Sequence, residues 1–540
     1  MSGLSRHLHV NASRLLRRAV RAHEQDELDK AARLYTAVLD HERDNFDALH
    51  GLGQIHYRHG RLDTALALIQ AALQTDPDRA DGFASLGLVF HALKDFFRAL
   101  KSYSEGLRLE PANCEIRNRR GVALLEVGRA AEALEDFDRV LAAAPNHFEA
   151  LGNRGNALLK LNRVADALAA YDVALKSAPE NFQLLTNRAV ALRRLDRPHE
   201  AVMSARSALV SKPDFAQARF AESLARLSLG DFGGWQGYEA RWQVGLLATQ
   251  RRHFTAPLWL GKESLAGKTI LLHAEQGSGD TIQFVRYAPL LVALGATVVL
   301  EVQIELARLL SGLLTVNVIP RGQPLPHFDC HCPLLSLPLA LATELSTVPA
   351  DIPYIAAPDA DIANWRHELA NWQKDLPQRR PRIGLVWAGG RVHDNDHNRS
   401  MRPERLLPLL DRTEAAFVSL QHDVRDEDAP LLNAHRNVFQ FKQKFRDFAD
   451  TAAAVASLDA VVAVDTAVAH LAGAMGKPLF LLLPFAADFR WMRERQDSPW
   501  YPTARLYRQP SFGDWDSAIE TLRSDLMRAE FFPRACKLSA

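Results

Sequence analysis

The residues that could do chemistry gather in three short stretches of the C-terminal half, each following an apolar run. The first is Glu275-Gln276-Gly277-Ser278-Gly279-Asp280-Thr281-Ile282, directly after Thr269–His273. Glycines here let the backbone approach a ligand closely, and Asp280 falls where a helix would begin. Two readings of Asp280 stand: a cap on exposed helical N–H groups, or a general base facing a cleft. The second stretch is Trp387-Ala388-Gly389-Gly390, followed by His393, Asn395, Asn398, Arg399, Ser400 and Arg402. Arg399 suits a charge-assisted fork to phosphate; the alternative is a solvated polar loop. The third is Val464-Asp465-Thr466-Ala467-Val468-Ala469-His470-Leu471-Ala472-Gly473. A strand ending in Asp465 and a helix beginning at once make an anion site of Thr466 and the first free N–H groups. His470, four residues after Thr466, can share its helix face or simply be packed.

These stretches need a frame. Short apolar runs at Thr269–His273, Thr297–Val302, 382–387, 416–420, Ala460–Val464 and Leu479–Leu483 read as strands alternating with helical patterns. That alternation implies parallel α/β layers, in which ligands sit beyond the carboxyl ends of the strands. The charged stretch 358–381 divides the strands into two groups. It reads as a connecting helix between a first α/β lobe at 263–357 and a second at 382–540.

The N-terminal half has a different grammar. Prolines stand at 77, 111, 145, 179 and 213, each 34 residues after the last. Gly53, Gly87, Gly121, Gly155 and Ala189 keep the same step, as do Ala31, Ala65, Ala99, Ala133, Ala167 and Ala201. This is the period of the tetratricopeptide helix–turn–helix unit. The small column marks where the second helix of a repeat comes too close for a larger side chain. Tyr103, Phe137 and Tyr171, four residues after the second column, are expected to fill the next gap between helices. Proline cannot donate the next helical hydrogen bond and so ends the second helix. Five repeats begin near Phe46, Ala80, Cys114, Phe148 and Phe182, with a degenerate unit at 12–45 and a partial one ending at Leu229. An α-solenoid at 1–229 follows from stacking these units, and the aromatic segment 230–262 reads as a capping helix and linker. Asn153 and Asn187 are one period apart. They are either the rungs of an amide ladder that grips extended peptide or ordinary polar lining; a polypeptide partner rests on what such arrays usually bind.

Composition sets the outer limits. With 65 basic and 64 acidic residues the net charge is +1, which gives no drive towards nucleic acid. Four cysteines (Cys114, Cys330, Cys332 and Cys536) form no disulfide framework. Cys330-His331-Cys332 lacks a second ligand pair, so a buried strand edge is favoured over a metal. No apolar run reaches the length of a membrane span, and the basic N-terminus (Arg6, Arg14, Arg17, Arg18 and Arg21) is not followed by a signal core. It suits either the solvated face of the first helix or a membrane-surface helix. A cytoplasmic location is the expectation.

The three stretches also carry a family resemblance. "DTAVAHLAGAMGKP" resembles the D-T-x-x-x-H-L-A-x-A-x-G-x-P element of family 9, heptosyltransferase-like GT-B glycosyltransferases, which binds the donor's diphosphate and ribose. "EQGSGDTIQFVRYAPLL" is similar to that family's first-lobe G-D loop, whose aspartate acts as base; Asp280 carries the match. "GLVWAGGRVHDNDHNRS" resembles the phosphate-side loop, with Arg399 at the basic position, although the loop is longer here. The whole plan, with "FADTAAAVASLDAVVAVDTAVAHLAG" and "RQDSPWYPTARLYRQ", resembles bacterial TPR–glycosyltransferase fusions, including some that modify flagellin. Eukaryotic O-GlcNAc transferase shares the plan, but its donor-site sequence is absent.

The resemblance implies an inverting, metal-independent transferase of two Rossmann-like lobes, with a nucleotide sugar as substrate and no further cofactor. Asp280 would deprotonate a protein hydroxyl held by the array through Asn153 and Asn187. Arg399, Ser400 and the helix start at Thr466 would meet the leaving phosphate, Gly279 would lie against the donor, Asp465 and His470 would orient the nucleotide, and Gln421 would touch base or ribose. Two alternatives remain: a non-catalytic adaptor with a degenerate GT-B domain, and a transferase acting on a lipopolysaccharide-type carbohydrate.

Overall fold

The structure is a computed structural model that describes residues 3–374, 380–390, 395–411, 415–441 and 445–527, with side chains between residues 11 and 526. His393, Cys536 and part of the 358–381 connection lie outside the described residues. The chain divides into two compact units, Met1–Ala191 and Leu192–Ala540.

The first unit is a stack of helix pairs. After Gly3–Glu24 and Leu28–His41, the expected repeat starts coincide with the first residues of Phe46–Arg58, Ala80–Ala92, Cys114–Glu126, Phe148–Lys160 and Phe182–Arg194. Asn45, Asn113 and Asn181 accept backbone N–H groups from residues three further on, so they cap these helices. Pro77, Pro111, Pro145 and Pro179 each follow the residue that caps the end of a repeat's second helix. A Cβ on Gly87 would lie 2.4 Å from Tyr103, one on Gly121 2.5 Å from Phe137, and one on Gly155 2.4 Å from Tyr171. The rings therefore close the contact inside their own repeat, not the next gap as the spacing suggested. On the first helix Arg14, Arg17, Arg18 and Arg21 face solvent while Ala12, Ala19 and Ala22 are buried.

The second unit opens with the helices Pro198–Ser211 and Ala216–Ser228. In place of one capping helix it then has a short helix, Gly234–Tyr238, a 3-10 turn, Glu239–Gln243, and a second short helix, Gly245–Gln250. Two parallel sheets follow. The first contains β1 (Thr269–His273), β2 (Thr297–Val302), β3 (Val316–Pro320) and β4 (Cys330–Pro333), in the order β3-β2-β1-β4. The second contains β5 (Arg382–Val386), β6 (Ala416–Ser419), β7 (Val438–Phe439), β8 (Ala460–Val464), β9 (Leu479–Leu483) and β10 (Ala504–Arg508), in the order β10-β9-β8-β5-β6-β7.

The helix Asp359–Gln373 stands between the sheets in sequence. Cys330 and Cys332 are buried in β4, a sheet edge, and His331 between them pairs by backbone hydrogen bonds with Pro257 and Trp259. One apolar cluster runs from Trp235 and Tyr238 through β1 and β2 to β8 and β9. The burial of both faces explains why these strands read as unbroken apolar runs. Among the described residues no helix is long and apolar enough to cross a membrane.

Candidate functional site

In each sheet the strand order reverses once, between β1 and β4 in the first and between β5 and β8 in the second. Loops leaving the strands on either side of such a point diverge, and a crevice opens beyond their carboxyl ends. In the second sheet this point lies between Trp387-Ala388-Gly389 after β5 and Asp465-Thr466 after β8. Thr466 is extended (φ −144°, ψ 167°) and precedes the helix Ala467–Ala474. Its hydroxyl makes no cap bond, and Oγ1 is buried without a hydrogen-bond partner. Arg399 bridges the crevice: Nη1 donates to the Asp465 carbonyl at 3.3 Å. A Cβ on Gly389 would meet the Arg399 guanidinium at 2.6 Å, so the glycine is what lets the arginine lie down. Arg399 Nε, 3.6 Å from Asp396 Oδ1, is buried and makes no hydrogen bond.

Two predicted contact residues turn inward. Ser400 Oγ donates to Asp396 at 2.6 Å and accepts the Gly389 N–H at 2.8 Å. Gln421 Oε1 accepts the N–H groups of Trp387 (3.3 Å) and Ala388 (3.1 Å), and its Nε2 donates to the Ala388 carbonyl at 3.0 Å. Both side chains shape the loop after β5.

The helix Ser278–Phe284, after β1, meets the helix after β8 start to start. A Cβ on Gly279 would sit 2.9 Å from His470 Cδ2. Asp280 is the third residue of its helix, and its Oδ2 reaches back to accept the Gly277 N–H at 2.9 Å, capping the helix start. Its Oδ1 is paired with Arg490, which comes from the segment between β9 and β10. Arg490 also donates to Asp488, at 2.7 Å from Nη1 and 3.1 Å from the backbone N–H. Burial works against the Arg490 charge, but Asp488 and Asp280 outweigh it and hold the guanidinium above its usual range.

His470 Nδ1 is 2.9 Å from the Tyr501 hydroxyl, its ring stacks on Trp491, and its Nε2 is 3.8 Å from Asp465 Oδ1. Burial, with the Arg490 charge, lowers its pKa to about 3, so the ring is neutral at pH 7. Burial, with the Asp488 charge, raises Asp465 to about 6. The crevice thus offers a hydroxyl, an arginine, a neutral imidazole and a helix start: groups able to hold phosphate and hydroxyl oxygens.

Arg490, Trp491 and Tyr501 had no assigned role from sequence. The one available signal was a lone cation among aromatics in Asp488-Phe489-Arg490-Trp491.

The crevice of the first sheet is closed by the chain itself. Arg241, from the capping segment, donates Nη2 to both Glu275 oxygens (3.1 and 3.0 Å) and to Ser336 Oγ (2.8 Å), and Nη1 to Glu239 at 2.6 Å. Glu275 also accepts the Leu335 N–H at 3.2 Å. Arg241 is 0% and Glu275 3% exposed. Burial pushes Glu275 up to about 7 against the pull of Arg241.

In the first unit, Asn153 Nδ2 donates to Asn118 at 3.1 Å and Asn187 Nδ2 to Asn156 at 2.9 Å. Asn156 also accepts from Tyr171 at 2.7 Å. His50 and Ser85, 2.8 Å apart, make a related link two repeats earlier. The asparagines therefore tie the first helices of successive repeats together, a role their spacing alone does not reveal, and both stay half-buried.

Models of the tetratricopeptide repeat match residues 22–86, 57–119, 84–148 and 118–182. The protein is a tetratricopeptide-repeat protein with a C-terminal α/β region of parallel sheets. Protein FlbA of Caulobacter vibrioides is a distant relative, 26% identical over 334 residues, which are 57% of this chain and 54% of FlbA. The chain thus spans about half the length of that relative. Among solved structures, a tetratricopeptide repeat protein from Parabacteroides merdae covers 42% of this chain and 91% of its own at 17% identity, with a TM-score of 0.37. YrrB, described as a TPR protein with an unusual peptide-binding site, covers 36% and 100% at 20% identity, with a TM-score of 0.31. These two likenesses concern fold alone.

Proposed function

We propose that the chain is a glycosyltransferase of the GT-B plan that moves a sugar from a nucleotide sugar to a protein hydroxyl, with the repeat array binding the acceptor. The observation that carries this reading is the crevice between β5 and β8. A buried Thr466 hydroxyl without a partner, the Arg399 guanidinium and the start of the helix after β8 converge at the topological switch point. Such a convergence suits a diphosphate whose charge grows as the sugar leaves. Asp280, on the facing helix start, is the base in this reading. Asp465 and neutral His470 are the partners of the nucleotide, with Gly279 giving the close approach. Ser400 and Gln421 act as positioning residues for the phosphate loop. Asn153 and Asn187 line the array that presents the polypeptide.

The test is calorimetry with a panel of nucleoside diphosphates, followed by donor hydrolysis and transfer with the tightest. One nucleotide is expected to bind and its sugar to be transferred, and Asp280→Asn is expected to abolish transfer while sparing acceptor binding. Failure to bind any nucleotide would leave an adaptor as the better reading, one that the Asp280–Arg490 pairing also suits. Transfer to a small carbohydrate by residues 192–540 alone would instead favour a polysaccharide acceptor.

A further inference from the structure

Asp280 has an unusual neighbour for a base. One of its carboxylate oxygens caps its own helix through the Gly277 N–H, and the other is held by Arg490. A carboxylate so held is a poor proton acceptor, because the cation favours its charged form. Arg490 is itself shared between Asp280 and Asp488, is only 8% exposed, and keeps one buried nitrogen, Nε, without a hydrogen bond. Its charge is felt at Asp465 and at His470, beside Thr466 and the helix start after β8. The next residue, Trp491, stacks on His470 and fixes the segment against that helix. The cation that holds the proposed base thus adjoins, through Trp491, the helix of the proposed phosphate site, and one of its nitrogens makes no hydrogen bond.

We infer that Arg490 is an exchangeable partner, holding Asp280 in the free protein and leaving it for the phosphates of a bound nucleoside diphosphate. The inference rests on the reading of the β5–β8 crevice as a phosphate site. Donor binding then has a second consequence beyond placing the sugar: it frees Asp280 Oδ1 to face the acceptor. Arginine is suited to the exchange, because its planar fork engages carboxylate and phosphate with the same geometry. Without a donor the base stays neutralised in an ion pair. No bond is made or broken in the step; one ion pair replaces another.

Competition of this kind has a thermodynamic signature. If Arg490 must leave Asp280 to meet the anion, removing the Asp280 charge strengthens anion binding, and only while Arg490 is present. The probe is inorganic pyrophosphate, titrated by calorimetry into the full-length protein, its Asp280→Asn and Arg490→Gln variants and the double variant. Asp280→Asn is expected to tighten binding about tenfold, within the usual size of such couplings. Arg490→Gln is expected to weaken it by about 10- to 100-fold, the loss of charge-assisted hydrogen bonds. In the double variant the gain from Asp280→Asn disappears.

An equal gain in both backgrounds would mean simple relief of repulsion and would overturn the exchange, as would weaker binding by Asp280→Asn. Should Arg490→Gln not fold, Arg490→Lys keeps the charge and is expected to retain the gain. A crystal structure with pyrophosphate tests the exchange directly: Arg490 on the phosphate supports it, and Arg490 still on Asp280 with pyrophosphate bound overturns it. If the unaltered protein binds no pyrophosphate, the phosphate-site reading fails first, and that outcome is distinct from both.

Discussion

The two parallel sheets reach the same topological point and treat it in opposite ways. Between β1 and β4 the chain fills its own crevice with Arg241, and the charged groups gathered there have partners inside the protein. Between β5 and β8 the chain leaves Thr466 Oγ1 and Arg399 Nε buried without a hydrogen bond. Buried polar atoms are nearly always hydrogen-bonded, and the proposed reading takes these two as kept for a ligand. A parallel sheet offers a ligand place wherever its order reverses. Which of these places is used is decided by whether the chain keeps a side chain of its own to occupy it.

The largest effect is expected where the crevice is closed. Arg241→Met leaves Glu275 buried without its cation, a loss of about 3–5 kcal/mol. Pairing it with Glu275→Gln is expected to recover part of that, because the fully buried carboxylate goes with its cation and only Glu239, 19% exposed, is left without one. All nine tryptophans lie beyond residue 234, so urea unfolding followed by tryptophan fluorescence reports this unit alone. The pH dependence has a fixed sign. Glu275 is raised from 4.5 to about 7 on folding, so its favourable contribution is complete below about 4.5 and is lost as pH rises through about 7. Arg241→Met removes the group that pulls this value down. Its penalty is therefore larger at pH 7.5 than at pH 5; a pH-independent penalty would mean that Glu275 is not the group left exposed to the loss.

The contrast also explains what could be read without coordinates. The repeat was legible because each of its constraints is local: a proline after the second helix, and a glycine facing an aromatic 16 residues on, as Gly87 faces Tyr103. Strands buried on both faces were legible as apolar runs. β3 (Val316–Pro320) and β10 (Ala504–Arg508) were not, because both are edge strands with half-exposed or charged positions. The loops of the open crevice were found because glycine, aspartate and threonine at a strand-to-helix turn carry their own signal. Their partners were not, because Arg490 joins Asp280 across 210 residues and Arg241 joins Glu275 across 34. Sequence spacing shows which groups are available; only the fold shows which of them are already spoken for, as Ser400 and Gln421 are.

Gln421 gives the intermediate case, a residue inside the open site that behaves like those of the closed one. Gln421→Ala removes three hydrogen bonds to the backbone of Trp387 and Ala388. The expected cost is about 1–3 kcal/mol, as for unsatisfied buried backbone groups. Pyrophosphate affinity should fall with it, since Gly389 and Arg399 depend on that loop. Unchanged stability with lost binding would instead mean that Gln421 leaves the loop to touch the ligand.

Thr466→Val tests the contrast where the expected structural effect is smallest. Among the described residues the hydroxyl has no hydrogen-bond partner, and valine has nearly the same shape. Removing it should change stability by no more than about 0.5 kcal/mol, in either direction, because an unsatisfied buried group disappears. Binding is expected to respond differently. If the hydroxyl is held for a phosphate oxygen, pyrophosphate affinity falls about 5- to 10-fold, the worth of one hydrogen bond to a charged group. The informative quantity is the separation between the two measurements. In the closed crevice, stability carries the whole cost of a substitution; at Thr466, stability should be nearly silent while binding is not. A Thr466→Val variant that unfolds more easily, yet binds pyrophosphate as before, would show that the hydroxyl serves the fold and that the second crevice is as complete as the first.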